Sequence, residues 1–222
     1  MNWTAVATSL ELALMTTFVL LLIGVPLAYW LAFSERRWSF LVESAVALPL
    51  ILPPTVLGFY VLVALGSASP VGRAWQNTFG TTLAFSFKGL VIASTLYSLP
   101  FAVQPIVTAF GSVSRRLIEA SWTLGVSRWG TFRRVILPQS VAGLVTGAVL
   151  SFAHTIGEFG VVLMVGGNIE GETRTISIAI YDDVQALNYA QANTTALLLL
   201  AFSFLILVSV YAINRKPWIA FR

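Results

Sequence analysis

Glu119-Ala120-Ser121-Trp122-Thr123-Leu124-Gly125, continued nine residues later by Val135-Ile136-Leu137-Pro138, is a basic island between two long apolar runs. Ser114 to Leu124 suits a short helix with Ser114 as its cap. Leu117, Ile118 and Trp122 fall on one face at helical spacing. Gly125 can stop that helix by turning left-handed. Ser127 to Val135 predicts a second short helix, with Trp129 and Phe132 beside Arg128, Arg133 and Arg134. Pro138 then suits the first turn of the next spanning helix. A loop of about 114–138 built this way admits two readings: an amphipathic element resting on lipid headgroups, or a knob on which a partner docks.

Outward from the loop, the chain is dominated by apolar sequence. Of its 222 residues, 57% are hydrophobic and 10% charged, and the mean hydropathy is +0.84. A soluble domain carries about 25% charged residues, so lipid is the main solvent. Runs long enough to cross a bilayer, roughly 20 apolar residues each, lie at about Val6–Phe33, Phe40–Leu65, Leu83–Phe110, Ser140–Val165 and Thr195–Ile213. The expected fold is an all-α polytopic bundle of five transmembrane helices with short helices on the loop, forming a single membrane domain over residues 1–222. The first run is too long for a signal-peptide core and has no basic residue ahead of it, so it reads as a retained span.

Lysine and arginine fix the expected orientation. Arg36, Arg37, Arg115, Arg116, Arg128, Arg133, Arg134, Arg215, Lys216 and Arg222 fall on one side, and Arg73, Lys88 and Arg174 elsewhere. The first side should be cytoplasmic, with the N-terminus outside and the C-terminus inside. Trp38, Trp129, Tyr211 and Trp218 fit an interfacial aromatic belt. The net charge of +4 then belongs to the membrane topology and not to nucleic acid. There is no cysteine and a single histidine, His154, which leaves no material for a thiolate or histidine metal site.

The loop resembles the EAA motif of ABC importer permeases: Glu-Ala-Ala, three residues, Gly, nine residues, Ile, any residue, Leu-Pro. Glu119, Ala120, Gly125, Leu137 and Pro138 match in identity and spacing, while Ser121 replaces the second Ala and Val135 the Ile. The resemblance implies that these residues form coupling helices seated in a cleft of a separate cytoplasmic ATPase subunit. No Gly-x-x-x-x-Gly-Lys-Ser/Thr phosphate loop occurs, and neither lysine, Lys88 or Lys216, follows a glycine. ATP and magnesium therefore belong to that partner, this chain binds no cofactor or metal of its own, and no catalytic residue is expected here.

A second stretch narrows the resemblance. Gly157-Glu158-Phe159-Gly160, then Asn168-Ile169, then Gly171-Glu172-Thr173-Arg174-Thr175 is similar to molybdate permeases. So are the proline-rich Leu48–Gly58 stretch and Phe85-Ser86-Phe87-Lys88-Gly89. The implied function is import of molybdate through the cytoplasmic membrane of a prokaryote. The implied partners are a second copy of the chain, two ATPase subunits and a periplasmic or surface-anchored binding protein. Tungstate and sulfate or thiosulfate permeases are the rivals within the class. Molybdate permeases often carry arginine near the place of His154, which is a departure here.

Candidate pathway features follow from the cost of moving a dianion through lipid. Pro49, Pro53 and Pro54 interrupt the second span, which is either a packing kink or a broken segment lining a wet path. Gly143, Gly147 and Ser151 make a small-residue stripe, read as a packing seam or as the wall of a gate. His154 and Glu158 stand at i and i+4 and can pair on one helix face. Because a bare carboxylate would repel the anion, Glu158 reads as a structural hydrogen-bonding group near the outer gate. In the outer loop, Asn168, Glu172, Thr173 and Arg174 are candidates for contact with the binding protein, and a local ion pair of Arg174 is the other reading. Lys88 reads as snorkelling to the interface. An ion-coupled secondary transporter would carry inverted repeats, and none is visible. An enzyme would require a constellation that His154 and one intramembrane carboxylate do not make.

Overall fold

The computed structural model describes residues 2–214. Three helices are long and apolar enough to cross a membrane unbroken. These are α1 (Trp3–Phe33), α5 (Phe87–Gly111) and the final helix, α12 (Tyr189–Asn214). Between them lie α2 (Ser39–Ala47), α3 (Pro54–Leu65), α4 (Pro70–Phe79), α6 (Arg115–Thr123), α7 (Arg128–Thr131), α8 (Leu137–Gln139), α9 (Val141–Gly157), α10 (Gly160–Gly166) and α11 (Ile176–Gln185). Arg215, Lys216, Trp218 and Arg222, on which the expectation of a cytoplasmic C-terminus partly rests, lie outside the described residues.

The centre of the bundle is α1 packed on α5 and α9. On α1 the buried positions Thr8, Leu12, Thr16, Leu20, Gly24 and Ala28 recur every fourth residue, with Ala5, Ser9 and Ala13 beside them, so one face of the helix meets the rest of the chain. Lipid tails are as apolar as leucine, so such helices associate through close packing and polar contacts. The small-residue stripe on α9 does this against α5. A methyl group at Gly143 would collide with Ala109 Cβ and sit 2.9 Å from Pro105 O, and one at Gly147 would sit 2.7 Å from Ala102 O. Ser151 is fully buried and donates its hydroxyl to Gly147 O. Of the two readings of this stripe, the geometry favours the packing seam.

Two of the five apolar runs are not single helices. The second bends by 110° between Ser39–Leu50 and Pro54–Leu65. Pro49 lies in a 3-10 turn (Leu48–Leu50), Pro53 precedes α3 and Pro54 opens it. Proline lacks the amide needed to continue a helical ladder, and the amides of Ile51 and Leu52 both turn back to Leu48 O, 3.1 Å away. The fourth run does not continue to Val165 as one rod: α9 ends at Gly157, and after Glu158 and Phe159 a separate helix α10 begins. Pro54 and Gly160 meet at the break, where a methyl on Gly160 would lie 2.6 Å from Pro54 Cβ. Gly58 lies against Met164 and Val161 in the same way, so α3 and α10 pack as a pair.

The stretches expected as outer loops, about 66–82 and 166–194, are partly helical. Pro70–Phe79 is a capped amphipathic helix, with Ser69 Oγ accepting from Gly72 N at 2.8 Å and Gly80 left-handed at its end. Lys88 lies 5.4 Å from the Trp75 ring of α4, a cation–π contact. The last span starts earlier than Thr195, at Tyr189.

Replacing Gly147 by leucine is expected to destabilise the protein by about 1–3 kcal/mol or more through overpacking. A lowered midpoint of thermal unfolding in detergent, with alanine at the exposed Gly157 causing little change, checks this.

Candidate functional site

The loop after α5 is built as a rigid protrusion. Ile118 of α6 and Ile136 are 6% and 2% exposed, and they pack into an apolar cluster with Ala28, Val103, Phe110 and Val113. Tyr29, Phe110 and Phe132 meet edge to face around the same point. The loop is therefore rooted in α1 and α5. Ser121 and Thr131 clasp α6 to α7 by a hydroxyl pair 2.7 Å apart, and Val126 N donates to Ser121 O at 3.0 Å. Ser121, where the motif has alanine, thus supplies the cross-link. Gly125 turns left-handed at φ +76°, as its position predicts. Four large apolar side chains remain outside: Leu117, Trp122, Leu124 and Trp129, with Leu124 82% exposed. Glu119 and Ala120 are exposed beside them.

Three local expectations change. Ile118 is buried together with Ser121, while Leu117 and Trp122, expected to share its face, are each half exposed. Ser114 precedes α6 without a side-chain cap. Pro138 does not open the next span. The chain winds continuously from Arg128 to Gln139, through a π-helical turn at Phe132–Ile136 carrying Val135, with Leu137 and Pro138 in the short α8, and then bends by 71° into α9.

At the break between α9 and α10 the structure gathers a polar group inside the bundle. His154 does not turn to Glu158. Its Nδ1 lies 2.9 Å from Ser98 Oγ, which is also 3.0 Å from Thr155 Oγ1, and its ring stacks on Phe101 at 4.0 Å. Glu158 lies past the end of α9, at φ −67° and ψ 134°, so helical i, i+4 geometry no longer applies. It is 5% exposed, and its Oε1 accepts from Val161 N at 2.8 Å. Glu158 therefore caps α10, where a carboxylate suits the positive end of the helix. Ser98, Thr155 and Phe101 went unnoticed in the sequence because their partners stand more than fifty residues away.

On the opposite face, Asn168 Nδ2 donates to both Asp182 oxygens at 3.0 and 2.8 Å, and its Oδ1 accepts from Arg174 Nε at 2.6 Å. Arg174 also pairs with Glu170 at 3.5 Å and Asp182 at 3.6 Å. The local ion pair is thus made, but not with Glu172, whose side chain is exposed. Thr173 is fully buried and braces the loop, donating to Gly166 O at 2.7 Å and accepting from Ile169 N at 3.0 Å. Among the described residues no three His, Cys, Asp or Glu side chains converge as a metal site would need.

Residues 24–218 match the family described as binding-protein-dependent transport system inner membrane component. The molybdenum transport system permease protein ModB of Azotobacter vinelandii is 49% identical over 211 residues, covering 95% of this chain and 93% of that protein. The protein of the same name from Escherichia coli K12 is 38% identical over 184 residues, covering 83% and 80%. Among solved structures, a chain of the inward-facing MetNI methionine ABC transporter superposes with a TM-score of 0.75 over 96% of each chain at 20% identity, a likeness of fold.

Replacing Glu158 by alanine is expected to cost about 1 kcal/mol through loss of the cap, and replacement by glutamine, which keeps an acceptor for Val161 N, much less. Thermal unfolding of the two variants beside the parent checks the order.

Proposed function

The chain belongs to the family of binding-protein-dependent transport system inner membrane components, and from that membership we propose that it is the permease subunit of an ATP-driven importer of molybdate in a prokaryotic cytoplasmic membrane. Its strong likeness to molybdenum transport permeases along nearly the whole chain supports the substrate. The observation that carries the mechanism is the rooted protrusion. Leu117, Trp122, Leu124 and Trp129 are exposed where lone apolar side chains would be costly, on helices fixed to α1 and α5. An apolar knob on a rigid stem is suited to a cleft in a partner, and a stem anchored in two spans transmits displacement to them.

In this reading the protrusion faces the cytoplasm and seats in an ATPase subunit that supplies ATP and magnesium. Two copies of the chain stand side by side over two such subunits, and a binding protein delivers the oxyanion to the outer face. ATP binding draws the ATPase subunits together and biases the spans between two states. The chain itself performs no hydrolysis. Glu119, Ala120, Ser121, Gly125, Val135, Leu137 and Pro138 form the coupling element. The broken second span with Pro49, Pro53 and Pro54, together with the Ser98–His154–Glu158 region, borders the path. The outer Asn168–Arg174–Asp182 cluster, with Thr173 behind it and Glu172 beside it, holds the surface met by the binding protein.

The test is molybdate uptake by vesicles containing the permease, its ATPase and its binding protein. Left-handed backbone costs a β-branched residue about 1–2 kcal/mol, so Gly125→Val is expected to lower uptake by about tenfold, and Glu119→Lys comparably. ATP hydrolysis and membrane insertion should persist. Undiminished uptake by both variants would remove the coupling role, and uptake of sulfate in preference to molybdate would reassign the cargo.

A further inference from the structure

Where α1 meets the protruding loop, two clefts lie side by side, and Trp122 and Trp129 of the loop border one each. One, of about 520 Å³, is lined by Tyr29, Trp30, Ser34, Arg36, Trp122 and Arg128. The other, of about 440 Å³, is lined by Val25, Pro26, Tyr29, Arg128, Trp129 and Phe132. Tyr29 and Arg128 belong to both, so the clefts adjoin. They differ in chemistry. The first holds two guanidinium groups and the hydroxyls of Tyr29 and Ser34 among apolar side chains that include Ile118 and Ile136. The second is apolar apart from the shared Arg128 and Tyr29, and it extends one helical turn up α1, about 6 Å, from Tyr29 toward the bilayer interior.

The setting is that of a headgroup layer. Trp30 and Trp38 pack at 5.1 Å, and Arg36 lies 5.5 Å from the Trp38 ring, the mixture of aromatic and basic residues that lines a membrane surface. Among the described residues, neither Arg36 nor Arg128 has a carboxylate within ion-pair distance. Glu35 also borders the first cleft, and the two arginines outnumber it. A cationic cup opening into an apolar trough fits an amphiphile with an anionic head.

We propose that one anionic phospholipid of the inner leaflet seats here, its phosphate between Arg36 and Arg128 and the start of an acyl chain along Val25, Pro26 and Phe132. The lipid fills the space between α1 and the protrusion beside their shared apolar root. The placement rests on the cytoplasmic reading of this face.

Native mass spectrometry of the permease–ATPase complex, offered phosphatidylglycerol and phosphatidylcholine at equal mole fraction, tests it. Selective retention of one phosphatidylglycerol per permease chain is expected. An arginine near an anionic surface contributes about fivefold in affinity, so Arg36→Gln should lower retention about fivefold and the double Arg36→Gln, Arg128→Gln variant about twenty-five-fold. Lysine at both positions should keep most of it. The intact-complex mass in the same spectrum reports assembly, and the parent protein decides the matter where a variant fails to assemble. Equal retention of the two lipids, or retention unchanged in the double variant, overturns the proposal. Lipid that binds only after the ATPase is stripped away assigns the cleft to that subunit and overturns it equally. Failure of the transport reading shows instead as absent ATPase association or uptake, which leaves the lipid selectivity of the permease readable.

Discussion

The meeting of Ile118 and Ile136 with Phe110, Val113 and Val103 is the contact on which the remaining structure depends. Val103 and Phe110 lie on α5, Val113 just past its end, Ile118 on α6 and Ile136 in the π-helical turn, and their burial makes one body of the bundle and the protrusion. Without it, α6 and α7 would be an amphipathic pair free to lie on the headgroups. With it, their exposed side chains are held at a fixed distance from α1 and α5. Burying side chains of this size contributes about 1.5–3 kcal/mol each, and the hydroxyl pair between Ser121 and Thr131 adds direction to the attachment. The proposed coupling follows from stiffness, since a loosely tethered loop would absorb any displacement that a partner imposed on it.

Much of this was legible in the residues. The apolar runs locate the membrane helices, and Gly125 marks a left-handed stop that the structure bears out at φ +76°. The spacing of Gly143, Gly147 and Ser151 marks the α5–α9 seam. Other features depend on partners distant in sequence. His154 finds Ser98 and Phe101 on another helix, and helical spacing alone suggested Glu158 instead. Hydropathy also cannot distinguish a span from two apolar pieces joined by a bend. Leu48-Pro49-Leu50-Ile51-Leu52-Pro53-Pro54 reads as lipid-soluble throughout, although its three prolines carry the chain through 110°.

The broken segments come together. Pro54 opens α3, Gly160 opens α10, and the two touch. Irregular backbone at membrane depth persists only where protein or water satisfies it. Here Glu158 supplies an acceptor from within the chain, and Ser98, His154 and Thr155 satisfy one another nearby. The interior of the bundle is thus polar at one level and closely packed by small residues at another, a division that suits a structure in which some seams hold and others shift.

The π-helical turn at Phe132–Ile136 has a consequence for the length of the loop. A wider turn absorbs an added residue without lengthening the helix by a full step, so it sets the azimuth at which Trp129 and Pro138 emerge relative to one another. Removing a single residue there would restore ordinary winding with Trp129 and Pro138 at nearly the same azimuth, whereas a residue added without such a turn would swing everything downstream through about 100°. The nine-residue interval between Gly125 and Val135 therefore acts as a phase lock, keeping the outward-facing tryptophan and the entry into α9 in register like two teeth cut on one shaft.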